Sequence, residues 1–165
     1  MKLTGSYEIK LSKNSVWKAL NDPMILKQSI PGCEEFKKNT DTNFTATATN
    51  KIGPFNATFT GDIELKDLNP PNSYKIVGQG NSPVGFASGE ASVQLEESKG
   101  FTKLNYSVEA NVGGKIAQVG SRLIDMTAKK MADIFLANFQ NCCLHQKRLK
   151  SKKKTIKLFQ KNVSI

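Results

Sequence analysis

Between Val112 and Asp125 the chain reads Val-Gly-Gly-Lys-Ile-Ala-Gln-Val-Gly-Ser-Arg-Leu-Ile-Asp, and a long apolar helical repeat grows out of it. Upstream, most of the chain alternates with the two-residue period of strands; downstream the period becomes that of a helix. Ile116, Gly120, Leu123, Thr127, Met131, Ile134 and Asn138 fall at three- and four-residue steps, flanked by Ile124, Phe135 and Phe139. One long helix with such a stripe must bury it, and a sheet is the partner on offer. Gly120 sits inside the pattern, where a helical glycine costs roughly 1 kcal/mol relative to alanine. It therefore signals either a close backbone approach or space kept open beside the helix.

The upstream pattern is regular enough to be read strand by strand. Residues 2–11 alternate, with Leu3, Gly5, Tyr7, Ile9 and Leu11 on one side. Ser12 or Asn14 can cap a short helix carrying Val16, Trp17 and Leu20. Asp22 can cap a second, with Pro23 in its first turn and Met24, Ile25, Leu26 and Ile30 along it, ending at Pro31-Gly32. Strands then follow at Cys33–Lys38, Phe44–Lys51, Phe55–Leu65, from Tyr74, Phe86–Glu96 and Phe101–Val112. Asn39–Thr42, Ile52-Gly53-Pro54, Asn69-Pro70-Pro71-Asn72, Gly80–Gly85 and Lys99-Gly100 punctuate them.

Seven consecutive antiparallel strands cannot stay flat, because strand twist curls them. The long helix then fits the concave side, which gives an α+β helix-grip (START-like) fold. It consists of a curled seven-stranded antiparallel sheet wrapped around a long C-terminal helix, with two short helices after the first strand. The concave positions mix phenylalanines with Ala57, Gly61, Ala87, Gly89 and Ala91. Side chains that small leave room for a cavity between sheet and helix.

Charge divides the chain. Eight of its 24 lysines and arginines lie from Lys147 onward, where there is no acidic residue, leaving sixteen against fourteen acidic residues before it. The net charge of +10 thus belongs to a tail rather than to the fold. Residues 1–146 are read as one helix-grip ligand-binding domain and 147–165 as a basic, partly apolar tail. No apolar run approaches the roughly 20 residues that span a bilayer, and the start resembles a strand rather than a signal peptide, so a cytoplasmic location is expected. Cys33, Cys142 and Cys143 lack metal-ligand or CxxC spacing and read as reduced, small apolar fillers.

Five stretches resemble the carbon monoxide dehydrogenase G-subunit family, within the START-like lipid- and polyketide-binding superfamily. They are Trp17–Pro23, Ile30–Glu34, Lys51–Pro54, Asp67–Tyr74 and Gly113–Ile124, the last being the most specific. The resemblance runs from about Met1 to Phe139. It implies an apolar pocket under the C-terminal helix and an accessory role. Family members are associated with attaching carbon monoxide dehydrogenase, or another molybdenum hydroxylase, to the membrane and with carrying a lipophilic quinone to it.

Catalysis finds little support in the residues. The single histidine, His145, lies beyond the apolar repeat next to the basic run, with no nucleophile or carboxylate spaced to form a triad. Glu8, Glu64, Glu90 and Glu109 alternate with polar neighbours as on solvated faces. Neither a metal nor a cofactor is expected, and Pro83–Phe86 leads into no helix that could cradle a phosphate. The chain is therefore read as a binding protein, not an enzyme, with an adaptor or a lyase/cyclase as the alternatives.

The expected ligand-lining residues are Phe59, Phe86, Tyr106, Ile116, Gly120, Leu123 and Ile124, with the Tyr106 hydroxyl available to a ligand carbonyl. Arg122 is expected to pair with Glu90 or Glu109, or to reach the pocket mouth. Gly113-Gly114 is either a hinge or an ordinary turn. In the tail, Lys147, Arg148, Lys150, Lys152, Lys153, Lys154, Lys157 and Phe159 are candidates for docking at the inner face of the membrane, with Ile156 and Val163 beside Phe159. A disordered solubilising tail is the alternative. Nucleic acid is disfavoured, because no aromatic residues are interleaved on a basic sheet face.

Overall fold

The computed structural model describes residues 1–163. Its elements are β1 Lys2–Ile9, α1 Lys13–Leu20, α2 Pro23–Ser29, β2 Cys33–Lys38, β3 Asn43–Ile52, β4 Phe55–Asn69, β5 Ser73–Ser82, β6 Gly85–Ser98, β7 Phe101–Gly113, a 3-10 turn at Lys115–Val119, and α3 Ser121–Val163. The strands form one antiparallel sheet in the order β1-β7-β6-β5-β4-β3-β2, so every connection but that between β1 and β2 joins neighbours. Curled around α3, it is the helix-grip arrangement.

Local chemistry sets the boundaries. The Ser12 hydroxyl caps α1 by accepting from the Ser15 amide at 3.3 Å, and the Asp22 carboxylate caps α2 by accepting from the Met24 amide at 3.0 Å. Thr40 stabilises the β2–β3 turn by accepting from the Asn43 amide at 3.1 Å. At the β7 end three glycines interlock: a Cβ on Gly114 would lie 2.7 Å from Gly85 Cα, and one on Gly113 would strike the Phe86 ring. The Ile116 amide also donates to the Val84 carbonyl at 2.9 Å. Gly113-Gly114 is thus a strand-to-helix turn pinned against the β5–β6 loop.

Gly120 is not inside a helix. It joins the 3-10 turn to α3 with φ of +97°, in the left-handed region that favours glycine, and a Cβ there would meet nothing within 4 Å. Neither packing nor ligand clearance explains it; backbone conformation does. The break also resets the helical phase. The inward face of α3 runs through Ile124, Ala128, Met131, Phe135, Phe139 and Cys143, while Ile134, placed on the stripe by counting from Ile116, is 37% exposed. A 3-10 turn followed by a glycine at positive φ cannot carry a 3.6-residue period across.

The core concentrates at one end, where Ile9, Val16, Leu20, Leu95, Leu104 and Phe139 pack together. Two buried polar side chains there are satisfied: the Thr102 hydroxyl donates to the Leu11 carbonyl at 2.7 Å, and the Ser29 hydroxyl to the Ile25 carbonyl at 2.6 Å. Cys143 belongs to this core, and burial pushes its thiol up to about 12. All three cysteines are free.

The basic segment is not irregular. Between Ser121 and Val163 there is no glycine or proline, and α3 continues through it as one helix of 43 residues, roughly 65 Å long. Residues 147–163 are exposed throughout. Ser164 and Ile165, the end of the expected tail, lie outside the described residues.

Candidate functional site

Strand register explains where the space under α3 comes from. Inward-facing residues form rows across the sheet. Near α1 and α2 the rows are bulky: Tyr74, Val93 and Tyr106 are paired in succession, as are Leu65, Ile76, Ala91, Val108 and Leu3. Two steps further along the strands the row is Phe44, Ile63, Gly78, Gly89 and Ala110, and beyond it Ala46, Gly61, Gly80, Ala87 and Val112. The floor falls away where side chains shrink to hydrogen or methyl.

Three apolar spaces result, and they share walls. An inner chamber of about 240 Å³ lies among Leu26, Ile30, Phe36, Ile76, Tyr74, Tyr106 and Phe135. A trough of about 350 Å³ follows the small residues Ala46, Gly61, Gly78, Gly80, Ala87 and Gly89. An outer chamber of about 310 Å³ is roofed by Ile124, Ala128 and Met131, with Phe59, Val112 and Ile116 below. Ile76 and Ala91 belong to both the inner chamber and the trough, and Phe59 and Ala87 to both the trough and the outer chamber. Small ligands occupy apolar cavities of this order, about 300–1,000 Å³.

Four of the expected lining residues border these chambers. Phe59, Ile116 and Ile124 line the outer chamber and Tyr106 the inner one. The Tyr106 ring lies across β1 with its hydroxyl over Gly5, a position that only glycine leaves open. The other three are elsewhere. Phe86 is 48% exposed with its ring against Gly113 on the outer side of the sheet, because strand alternation turns Ala87 inward instead. Leu123 packs over Gly53 in the β3–β4 turn, together with Val119. Gly120 touches no chamber.

Residues not singled out from the sequence contribute more. Tyr74, Ile76, Gly78 and Gly80 form the inward row of β5, legible as alternation but recognisable as a cavity floor only once β4 and β6 are placed beside it. Tyr74 packs edge-on against Trp17, with centroids 5.3 Å apart and planes at 83°. Burial pushes its phenol well above the ordinary tyrosine range, so it stays a neutral donor.

Among the described residues no carboxylate, histidine, lysine or arginine side chain lines the inner or outer chamber. Among them, too, no group of three His, Cys, Asp or Glu is placed to hold a metal ion. The outer face of the sheet carries a larger polar groove of about 860 Å³ with Asp62, Glu64, Glu90 and Glu109. Lysines already occupy it: Lys75 reaches Glu90 at 3.6 Å and Lys2 reaches Glu109 at 3.6 Å, so these carboxylates pair with them and not with Arg122. His145 is exposed on α3.

The extension of α3 has two faces. Lys147, Lys150, Lys154, Lys157 and Lys161 follow one another at three- and four-residue steps along one side. Leu149, Ile156, Phe159 and Val163 form an exposed apolar stripe on the other, with Phe159 at 69% exposure. Arg148 and Lys153 lie at the borders of the two faces, Lys152 interrupts the apolar stripe, and Leu158 falls on the basic side. Among the described residues no helix is long and apolar enough to cross a membrane.

A family model, CoxG, described as the G-subunit of carbon monoxide dehydrogenase, matches residues 5–143. Among solved structures, a conserved protein from Geobacillus kaustophilus is 29% identical with a TM-score of 0.84, over 88% of this chain and 96% of that one. The Zhui aromatase/cyclase from Streptomyces sp. R1128 is 12% identical with a TM-score of 0.60, over 88% and 94%, a likeness of fold alone. No functionally curated protein sequence matches the chain.

Proposed function

The chain belongs to the CoxG family, the G-subunit family of carbon monoxide dehydrogenase, and from that premise we propose that it binds a lipophilic ligand, a quinone or another isoprenoid, in the space between sheet and α3. The observation that carries this reading is the glycine and alanine floor. At Gly78 and Gly80, where a Cβ would meet nothing nearer than 3.7 Å, room for a larger side chain is left empty beneath an apolar roof. Closing such space would add roughly 25 cal/mol for each Å² of apolar surface buried. A chain that forgoes this gain keeps the space for something else.

The protein acts as an accessory factor and not as an enzyme. Acid–base or nucleophilic chemistry needs titratable groups converging on the reacting atoms, and among the described residues the titratable side chains of the inner chamber are the phenols of Tyr74 and Tyr106. The α3 extension holds the protein at the inner, anionic face of a membrane. Each lysine near such a surface contributes about 1 kcal/mol, and the stripe through Phe159 adds apolar insertion. The ligand then passes to or from a molybdenum hydroxylase such as carbon monoxide dehydrogenase.

Native mass spectrometry of the purified full chain, followed by organic extraction, tests the carrier reading. A stoichiometric lipophile that is lost on extraction is the expected result. A protein that is empty as purified and takes up no quinone from vesicles would leave the second reading, an adaptor that only anchors its partner. The α3 extension favours that second reading on its own account, since it can dock without any ligand. Co-sedimentation with anionic vesicles before and after removal of residues 147–165 separates the two roles.

A further inference from the structure

We infer that Tyr74 is the polar recognition group of the cavity and that the ligand carries a hydrogen-bond acceptor, a carbonyl or ether oxygen, which it presents to the Tyr74 hydroxyl in the inner chamber. The inference rests on the ligand-binding reading above and adds the ligand's orientation and the chemistry of its leading end.

Packing does not need the hydroxyl. The Tyr74 ring is 5% exposed and wedged against Trp17, work that a phenylalanine would do equally well. Among the described residues no group forms a hydrogen bond with that hydroxyl, and yet no buried polar side-chain atom is sealed away without a partner. The Tyr74 oxygen therefore keeps some accessible surface, and the inner chamber is the open space that Tyr74 lines. A donor left unmatched in apolar surroundings is costly, and an acceptor brought by a ligand restores the balance.

The two polar side chains of the outer chamber already have partners. The Thr127 hydroxyl donates to the Leu123 carbonyl at 2.8 Å, and the Asn50 amide donates to the Pro31 carbonyl at 3.1 Å. Tyr106 turns its hydroxyl toward β1, over Gly5. Burial holds the Tyr74 phenol protonated, so it acts as a donor over the whole working pH range. Tyr74 also begins the inward row of β5 that ends at Gly80, a distance of roughly 20 Å along the strand. An acceptor seated at Tyr74 leaves the rest of an elongated ligand lying over Gly78 and Gly80 toward the outer chamber.

The test compares two probes of nearly one shape: 2-acetylnaphthalene, and 2-isopropenylnaphthalene, in which a methylene replaces the carbonyl oxygen. Trp17, the only tryptophan, packs on Tyr74 and reports occupancy through its fluorescence. Wild-type protein is expected to prefer the ketone by about tenfold, the scale of one neutral hydrogen bond. Tyr74→Phe should abolish that preference while binding the hydrocarbon as tightly as wild type, which also shows that the variant is folded. A preference that survives Tyr74→Phe overturns the inference, as does one that is absent in wild type or is removed by Tyr106→Phe instead. If neither probe binds wild-type protein, the ligand-binding reading itself fails and this inference falls with it.

Discussion

The two ends of the concave face are built from the same sheet and helix, yet they solve opposite problems. Under the later turns of the domain part of α3, Ile9, Leu95, Leu104, Phe139 and Cys143 pack with α1 and α2 into a closed core. Under its first turns, Ile124, Ala128 and Met131 face glycine and alanine across an open chamber. The closed end supplies stability and the open end most of the volume, with the inner chamber reaching in against the core residues Tyr74, Leu104 and Leu136. Because the two are joined by continuous strands and one continuous helix, the closed end holds the open one apart. An α3 that could sag onto the trough would close the cavity, and the packing around Phe139 prevents it.

Breaking the closed end should have the largest effect. Phe139 is fully buried and stacks on Phe135, with centroids 5.9 Å apart. Phe139→Ala removes a whole ring from a packed core and is expected to cost about 3–5 kcal/mol, read as a fall in the urea midpoint. A loss below about 1 kcal/mol would mean that the two ends share the load, and the contrast between them would be gone.

Within the trough the glycines divide into two kinds. A Cβ on Gly89 would sit 2.6 Å from the Glu109 carbonyl oxygen, so Gly89→Ala forces two strands apart and should cost about 1–3 kcal/mol of stability. A Cβ on Gly78 would meet nothing nearer than 3.7 Å. Gly78→Val should therefore fold as well as wild type, with improved strand propensity. Its methyls would instead fill the trough and weaken binding of the naphthalene ketone by about tenfold or more, since a clash of this kind costs about 1–3 kcal/mol. Thermal melts and probe titrations on both variants check the pair. A Gly78 variant that loses stability without losing affinity would make the floor a packing device.

The two ends are not equally legible in the sequence. The fold class, the run of hairpins from β2 to β7 and the caps at Ser12 and Asp22 follow from period, turn residues and twist, whereas the pairing of β1 with β7 joins residues about 100 apart and has no local signal. Phe59 and Tyr106 are legible too, since alternation turns them inward. Phe86 shows that even a local signal needs to be followed through, since the alternation that puts Ala87 inside puts Phe86 outside. The trough is hidden, because Gly61, Gly78, Gly80 and Gly89 become a floor only through register across strands far apart in sequence. The inward face of α3 is misphased by any count that runs through Gly120, where the backbone leaves the helix. The helical continuation beyond Leu144 is open to reading, as no glycine or proline between Ser121 and Val163 interrupts it.

Gly120 provides the smallest and most discriminating test. It adjoins the open end and yet lines none of the chambers, and its φ of +97° suits glycine alone among common residues. Gly120→Ala should cost about 1 kcal/mol, the strain of a side chain in the left-handed region. It should leave affinity for the naphthalene ketone unchanged. Gly78→Val is expected to do the reverse, losing affinity and keeping stability. If Gly120→Ala weakens binding as strongly as Gly78→Val does, the start of α3 takes part in holding the ligand, and the open end extends one turn further than the chambers reach. If it affects stability alone, the glycine serves to turn the chain from strand to roof, and the volume beneath belongs to the sheet.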